Sequence, residues 1–391
     1  MSGRLVIVGG GPAGLSAARA YRNSGGEGEV VILAAEEFPP YERPPLTKEF
    51  LRGESGMGDL PIEEEGFYRD NGIEVRLSTE VEALGSERRV ARLKSGEEIS
   101  YESCVLATGS RPIRIPVPGA DDPEILLMRT INDSTRLTEK VDGRTRVAVV
   151  GSGFIGCEAA ASLAMRGAEV SVVSMEEAPQ KERLGGEVGE RISAWLAEYG
   201  VDLRMNSVVE AIERGGEGFQ VRMEGGDGGI LADAVLFATG VEPRIELAEE
   251  AGLEIENGAV ATDSSMRTSE PSIFAAGDIA FAYNESAGRR LRVEHWGDAL
   301  EHGRIAGANA AGGGERLTLA PGFWSAIGEK TVKYWAWGDG WDESKFVEHE
   351  NGAFTVWYGR GGIVVGVLSH DADEDYRRGK DLVEAGASMP R

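Results

Sequence analysis

The stretch RLVIVGGGPAG, residues 4–14, decides the fold because it returns as RVAVVGSGFIG at residues 146–156. In each copy an apolar, β-branched run leads into a Gly-x-Gly-x-x-Gly turn, and an Ala-rich helical stretch follows. A second β-branched run comes next, and an acid follows it at Glu36 in the first copy and at Glu176 in the second. The two copies lie too far apart for a stacked repeat. They predict two βαβ units of the dinucleotide-binding type.

The three glycines of each copy have separate roles in such a unit. The first makes a tight turn, the second lets the backbone approach a pyrophosphate, and the third lets the helix pack closely on the strand. The phosphates would lie at the positive end of the helix, and the acid would accept hydrogen bonds from a ribose. A pair of glycine turns without any ligand is the alternative interpretation. The glycines are Gly9, Gly11 and Gly14 in the first copy and Gly151, Gly153 and Gly156 in the second.

Shorter repeated motifs further along the chain indicate how the units are arranged. VLATG at residues 105–109 and LFATG at residues 236–240 each predict a buried strand that ends in a glycine turn, and IFAAGD at residues 273–278 predicts another. The segment from residue 316 onward has five of the seven Trp residues and a strand-like alternation. We expect an α/β fold of two doubly wound three-layer dinucleotide-binding domains, the second inserted in the first, plus a small C-terminal α+β domain. The predicted boundaries are 1–112 with 243–315, then 113–242, then 316–391.

Composition excludes several classes of function. The 391 residues include 41 Lys and Arg against 66 Asp and Glu, and the net charge of −25 opposes binding to nucleic acid or to anionic membranes. Two Cys residues cannot form a disulfide framework or hold an iron–sulfur cluster, and the four His residues show no zinc spacing, so no metal site is predicted. The N-terminus carries no export signal, and no apolar run is long enough to span a membrane. We therefore expect a soluble cytoplasmic protein.

Several short motifs resemble those of a known family, the two-dinucleotide flavoproteins, and within it the ferredoxin reductase-like group. That group includes the reductase components of oxygenase systems, putidaredoxin and rubredoxin reductases, and relatives of the apoptosis-inducing factor. PYERPPLTK at residues 40–48 is the most specific motif, and the motifs run in the family's order from residue 4 to about residue 315. The others are the two glycine fingerprints, ATGSRP at 107–112, ATG at 238–240, AGD at 276–278, VEHWGD at 293–298 and, in the C-terminal part, FWS at 323–325.

The resemblance implies FAD on the first fingerprint and NADH, or less readily NADPH, on the second. It makes Lys48 and Glu158 a catalytic charged pair close to flavin N5, in which the glutamate lets the lysine be buried without an isolated charge. Asp278 would hold the ribityl chain, and Arg43 would lie near the adenine dinucleotide portion. The implied cofactor-binding residues are Gly9, Gly11, Pro12, Ala13, Gly14, Glu36, Arg43, Lys48, Val81, Ala107, Thr108, Gly109, Arg111, Gly151, Gly153, Ile155, Gly156, Glu176, Ala238, Thr239, Gly240, Gly277, Asp278, Glu294, His295, Trp296 and Trp324.

The function implied by the resemblance is NADH-dependent electron transfer. A hydride would pass from NADH to flavin N5, and single electrons would then pass to a small iron–sulfur or rubredoxin-type protein. Two alternatives stay open: a redox-responsive NAD-binding flavoprotein of the apoptosis-inducing factor type, and an NADH oxidase that reduces oxygen. We expect no nucleic-acid or membrane partner, and either a monomer or a homodimer.

Three finer predictions concern particular residues. No Arg or Lys follows the second β-branched run closely enough to bind a 2′-phosphate, so Glu176 favours NADH over NADPH. Neither Cys104 nor Cys157 lies where related disulfide enzymes carry their thiols, so catalysis is expected to need no cysteine. RRLR at residues 289–292 lies between the AGD and VEHWGD motifs. It predicts either a basic docking surface for the electron acceptor or a charged hairpin that only solvates a turn.

Overall fold

The computed structural model of this chain describes residues 3–216, 218–225 and 229–390. Up to residue 112 the chain forms most of one parallel sheet and a small antiparallel sheet. The elements are β1 (Arg4–Val8), α1 (Pro12–Asn23), β2 (Glu29–Leu33), a 3₁₀ turn (Pro44–Thr47), α2 (Glu49–Arg52), a 3₁₀ turn (Met57–Asp59), α3 (Glu65–Asp70), β3 (Ile73–Arg76), β4 (Val81–Gly85), β5 (Val90–Leu93), β6 (Glu98–Ser100), β7 (Ser103–Leu106) and β8 (Ser110–Pro112).

The middle of the chain repeats this plan with a second parallel sheet. The repeat follows from the sequence, since each glycine turn lies between a buried strand and a helix. The elements are α4 (Ile131–Lys140), β9 (Arg146–Val150), α5 (Phe154–Met165), β10 (Glu169–Val173), α6 (Lys181–Leu184), α7 (Gly186–Glu198), β11 (Asp202–Arg204), β12 (Val209–Gly215), β13 (Gly218–Met223), β14 (Ile230–Ala232), β15 (Ala234–Phe237) and β16 (Val241–Pro243).

The last part of the chain first completes the first sheet and then forms an antiparallel sheet of its own. The elements are α8 (Glu246–Glu250), β17 (Ile255–Glu256), β18 (Ala259–Thr262), β19 (Ile273–Ala275), a 3₁₀ turn (Gly277–Ile279), β20 (Ala280–Asn284), β21 (Arg289–Arg292), α9 (Trp296–Ala310), β22 (Gly322–Ile327), β23 (Lys330–Ala336), β24 (Glu343–Glu348), a 3₁₀ turn (Glu350–Gly352), β25 (Phe354–Arg360), β26 (Ile363–His370) and α10 (Asp373–Glu384).

Strand order shows that the second parallel sheet interrupts the first. The first sheet has the order β19-β7-β1-β2-β3, so a strand from after the second unit pairs in parallel with β7. The second sheet has the order β11-β10-β9-β15 and is also parallel. The chain leaves the first unit through β8 and returns through β16, and these two strands pair with each other. The predicted α/β class with two parallel sheets is thus confirmed.

The first sheet is covered by two helices that approach each other unusually closely. Its central strand β1 is buried from Leu5 to Val8, which is typical of a parallel strand with both faces covered. Helix α9 packs on α1 through two glycines: a Cβ at Gly303 would collide with the Ala13 backbone, and one at Gly307 would collide with the Ala17 backbone. This packing places the start of α9 beside the first glycine turn. Among the described residues, no helix is both long and apolar enough to cross a membrane.

Candidate active site

One cavity of about 1330 Å³ is lined by residues from both units with parallel sheets and from the C-terminal antiparallel sheet. Pockets that hold one small ligand measure roughly 300–1,000 Å³, so this cavity is large enough for more than one. Most residues predicted from the sequence line it: Gly9, Gly11, Pro12, Ala13, Glu36, Arg43, Lys48, Val81, Ala107, Thr108, Gly109, Arg111, Gly153, Ile155, Glu158, Ala238, Gly240, Gly277, Asp278, Glu294, His295, Trp296 and Trp324. Those that do not line it are Gly14, Gly151, Gly156, Glu176 and Thr239.

The first glycine turn has the geometry of a phosphate cradle. Gly9 has φ +125°, and a Cβ there would collide with the carbonyl of Ala107. Gly14 lies against the carbonyl of Gly9, which explains why it packs the turn without reaching the cavity. A Cβ at Gly11 would meet nothing within 4 Å, so open space lies in front of the N-terminus of α1. Backbone N–H groups at such a helix end bind anions.

The second glycine turn repeats this geometry on the second sheet. Gly151 has φ +106° and lies against the carbonyl of Ala238, and Gly156 lies against the carbonyl of Gly151. Thr239 does not face the cavity because its hydroxyl donates to the carbonyl of Ile113 at 2.6 Å. The chain therefore presents two similar cradles to one cavity.

The two acids that follow the second strand of each unit have different surroundings. Glu36 lies three residues beyond β2, and its carboxylate accepts hydrogen bonds from Arg43 and from the Tyr41 hydroxyl, both at 2.6 Å. Glu176 lies three residues beyond β10, the equivalent position, but its Oε2 is buried without a hydrogen-bond partner in the described part of the chain. Burial raises the pKa of Glu176. The Ser174 hydroxyl, directly after β10, accepts instead from Ser152 at 2.7 Å.

Asp278 is held by two residues, Ser110 and Arg129, that are not among the predicted cofactor-binding residues. Its Oδ2 accepts hydrogen bonds from the Ser110 hydroxyl and from the Arg129 guanidinium, both at 2.6 Å. Arg129 comes from the segment before α4, 149 residues away in sequence. No motif marks Arg129, because its role depends on the contact between segments that are remote in the chain.

Lys48 and Glu158 form a buried ion pair in the wall of the cavity. Lys48 Nζ donates to Glu158 Oε2 at 2.6 Å, and both side chains are 4% exposed. The Thr47 hydroxyl donates to the same oxygen at 2.6 Å, while the Ser325 hydroxyl donates to Oε1 at 2.7 Å. The ring centroid of Trp324 lies 5.0 Å from Lys48 Nζ. Paired and hydrogen bonded in this way, two opposite charges can be buried together.

A second set of side chains, Arg183, His295 and Phe323, meets in the lining of the cavity. The guanidinium of Arg183 lies over the Phe323 ring at 5.4 Å, and its Nη2 is 3.4 Å from His295 Nε2. His295 Nδ1, on the other side of the ring, is buried 3.4 Å from Asp298 Oδ2 and has no hydrogen-bond partner in the described part of the chain. Arg183 was not predicted either, since its helix carries no recognisable motif.

Neither cysteine lies in the cavity. Cys104 and Cys157 are free and fully buried, and burial raises the pKa of both thiols well above its usual range. The Cys157 Sγ instead faces the carbonyl of Ser152 at 3.3 Å. The cavity, as far as the described residues show, offers no thiolate.

The arginines of residues 289–292 do not form a basic patch. Each is paired with a carboxylate: Arg289 with Asp339, Arg290 with Glu256 at 2.9 Å and Arg292 with Glu294 at 2.7 Å. These pairs cancel the positive charge on which the docking interpretation depended. The structure favours the other interpretation, a charged hairpin between β20 and β21.

Two glycine cradles and a buried Lys–Glu pair on a shared cavity define a dinucleotide-dependent oxidoreductase. The chain belongs to the pyridine nucleotide-disulphide oxidoreductase family, whose model matches residues 3–303. It is 34% identical over 330 residues to a rubredoxin-NAD(+) reductase of Pseudomonas putida, with 84% of this chain and 85% of the relative covered. It is 32% identical to the ferredoxin–NAD(+) reductase component of an anthranilate 1,2-dioxygenase system from Burkholderia cepacia, covering 99% of this chain and 95% of the relative. The putidaredoxin reductase of a covalent complex with putidaredoxin superimposes with a TM-score of 0.92 at 28% identity, covering 98% of this chain and 93% of the other.

Proposed function

We propose that the protein is an NADH-dependent FAD reductase that passes electrons to a small iron–sulfur or rubredoxin-type protein. The observation that carries this proposal is that both glycine turns and the buried pair of Lys48 and Glu158 face one cavity. The acceptors named for the relatives, a rubredoxin and a ferredoxin of a dioxygenase system, support the class of partner. The buried state of both cysteines argues against a thiol-dependent reaction.

The residues around the first glycine turn fit FAD. The open space before α1 would accept its pyrophosphate. Asp278 Oδ2 is already engaged by Ser110 and Arg129, and neither uses Oδ1, which leaves that oxygen for the hydroxyls of the ribityl chain. When bound, FAD supplies the ability to take two electrons from a nicotinamide and release them one at a time.

The chain itself would supply charge and orientation. Lys48 places an ammonium in the cavity wall, where a fixed positive charge stabilises electron density on a neighbouring ring. Glu158 and Thr47 hold that ammonium in position, so the charge does not need to be reoriented during the reaction. The rings of Trp296 and Trp324 line the same cavity and would bound the flavin site.

The second glycine turn would bind NADH in preference to NADPH. Glu176 occupies the position after β10 that Glu36 occupies after β2, where an acid would accept hydrogen bonds from a ribose. The nearest cation that follows, Lys181, is paired with Glu177 and so is not free to bind a 2′-phosphate. The Glu176 carboxylate would repel that phosphate, and we expect a preference for NADH of at least about tenfold in kcat/KM.

We also propose the domain boundaries 1–112 with 243–315, 113–242 and 316–391. The pairing of β8 with β16 supports them, because the two crossings between the first and second units lie side by side.

The proposed function is tested by identifying the flavin and then the acceptor. The purified protein should be yellow and release FAD on heating; FMN, or no flavin in a folded protein, would overturn the proposal. NADH should then reduce the bound flavin without air, and a rubredoxin or a [2Fe–2S] ferredoxin should reoxidise it repeatedly. Oxygen consumption as fast as acceptor reduction would identify an NADH oxidase instead. A long-lived complex with slow turnover would identify a redox-responsive binding protein.

A further inference from the structure

Ser325 connects the C-terminal antiparallel sheet to the buried ion pair. It lies on β22, is 1% exposed, and its hydroxyl donates to Glu158 Oε1 at 2.7 Å. Glu158 itself lies on α5 of the second unit, and its partners Lys48 and Thr47 belong to the first. One carboxylate therefore joins all three parts of the molecule.

The two oxygens of Glu158 are not equally supported. Oε2 accepts from Lys48 and from Thr47, whereas Ser325 is the one donor that the described residues offer to Oε1. Hydrogen bonds to the charged form of a carboxylate favour that form, and a buried oxygen that loses its donor carries a desolvation penalty. Removing the Ser325 hydroxyl would therefore disfavour the ionised form of Glu158. Lys48 would then lose part of the negative charge with which it pairs.

We infer that Ser325 is a positioning residue: it holds the second oxygen of the Glu158 carboxylate, so that Lys48 keeps its partner and its position in the cavity wall. This inference rests on the proposed function of the cavity, in which Lys48 acts on the flavin. It assigns the C-terminal sheet a direct part in the chemistry of the site, through one hydroxyl.

None of the other titratable groups around Glu158 is hydrogen bonded to the Ser325 hydroxyl in the described part of the chain. Lys48 is its own partner, and Cys157 is a buried thiol whose pKa is raised by burial. Tyr334, on the neighbouring strand β23, has a pKa raised to about 12 by burial. His295 packs against the Phe323 ring, with ring centroids 4.7 Å apart, and makes no hydrogen bond to Ser325 in the described part of the chain.

The chain provides a matched control in Ser369. It lies on β26 of the same sheet and is also 1% exposed, but its hydroxyl has no hydrogen-bond partner in the described part of the chain. Ser369→Ala should repeat the packing change of Ser325→Ala without touching the ion pair. Ser325→Thr keeps a hydroxyl and serves as the rescue, and Ser325→Cys, a weaker donor of similar size, serves if the alanine variant does not fold.

The experiment compares these holoproteins between about pH 5 and about pH 9 by three measurements: the visible absorption spectrum of the oxidised flavin, the rate of its reduction by NADH in a single turnover, and thermal unfolding. For Ser325→Ala the acid limb of the rate profile should move to higher pH, with the ratio of rates at pH 5.5 and pH 8 about tenfold below the parent's. The flavin spectrum should acquire a pH-dependent change over the same interval. Ser325→Thr should restore both, and Ser325→Cys should shift both less than alanine does.

Two results would overturn the inference. One is an alanine variant that loses thermal stability as Ser369→Ala does but keeps the parent's rate profile and spectrum, since Ser325 would then only pack. The other is a threonine variant that behaves like alanine. Both differ from failure of the proposed function, which would show already in the parent as a lack of FAD or of reduction by NADH.

Discussion

Lys48 shows how single residues determine what this cavity can do. Burial of a lysine that is 4% exposed requires a carboxylate and further hydrogen bonds in place of water, and Glu158, Thr47 and the carbonyl of Pro44 provide them here. A charge that is costly to bury and is nevertheless placed in a cavity wall indicates a role in the chemistry of that cavity.

Replacing Lys48 with methionine should slow the reduction of the flavin by NADH by at least about tenfold, because the fixed positive charge is lost. NADH binding should change little, since the second glycine turn is untouched. Stopped-flow reduction at several NADH concentrations separates the limiting rate from the dissociation constant. Lys345→Met, at an exposed lysine, is the control and should match the parent. An unchanged limiting rate in Lys48→Met would remove the lysine from the mechanism.

Replacing Glu176 with glutamine should reduce the preference for NADH over NADPH. The amide removes the charge that repels a 2′-phosphate, so we expect the ratio of the two kcat/KM values to fall by about threefold to tenfold. Glu177→Gln is the matched control, because Glu177 is more exposed and is already paired with Lys181. An equal fall of this ratio in both variants would show that the negative charge of the region as a whole, and not Glu176 in particular, sets the preference.

Residues fixed by local geometry were predictable from sequence, whereas residues brought in from afar were not. Gly9 and Gly151 have a positive φ imposed by their own turns, so the fingerprint alone locates them. Arg129 and Arg183 reach the cavity only through the packing of remote segments, and no spacing in the sequence encodes that contact. The ion pairs of residues 289–292 could not be foreseen for the same reason: the acidic partners of Arg289 and Arg290, at positions 339 and 256, are distant in the chain.

At the scale of elements, the two units were recognisable because strand, glycine turn and helix follow one another directly. The internal repeat and the buried strands at 105–106, 236–237 and 273–275 identify the parallel sheets. The small antiparallel sheet β12-β13-β14 was not anticipated, since short strands with one exposed face have too few apolar residues to show a pattern. The close packing of α9 on α1 was not predicted either, because the two helices are far apart in the sequence.

Gly307→Ala should destabilise the protein by about 1–3 kcal/mol, because its Cβ would collide with the Ala17 backbone and push α9 away from α1. The measurement is thermal unfolding, where we expect the midpoint to fall by several degrees. Gly66→Ala in α3 is the control: its Cβ would approach only the Arg69 side chain, at 3.6 Å, so helix propensity should leave stability unchanged or raise it. Equal midpoints for Gly307→Ala and the parent would mean that the helices can separate without cost.

For the whole molecule, charge is the dominant feature. The net charge is −25, and many of the arginines on the surface are already paired with acids. Exposed pairs of this kind contribute roughly 0–1 kcal/mol each to stability. They neutralise the surface locally but leave the excess of negative charge on the molecule as a whole. A partner thus approaches a molecule of net negative charge, in which the arginines at 289–292 are already paired with acids.

An acidic electron acceptor should therefore react faster as salt is added. Screening of like charges should raise kcat/KM for the acceptor by about twofold to tenfold between about 20 mM and about 200 mM NaCl, while NADH-dependent reduction of a small neutral dye changes little. Replacing Arg289, Arg290 and Arg292 together with glutamine should leave this salt dependence unchanged or strengthen it, because each substitution frees a carboxylate. A kcat/KM that falls with added salt would reveal a local positive surface that steers the acceptor. Loss of that fall in the triple variant would place the surface on these three arginines after all.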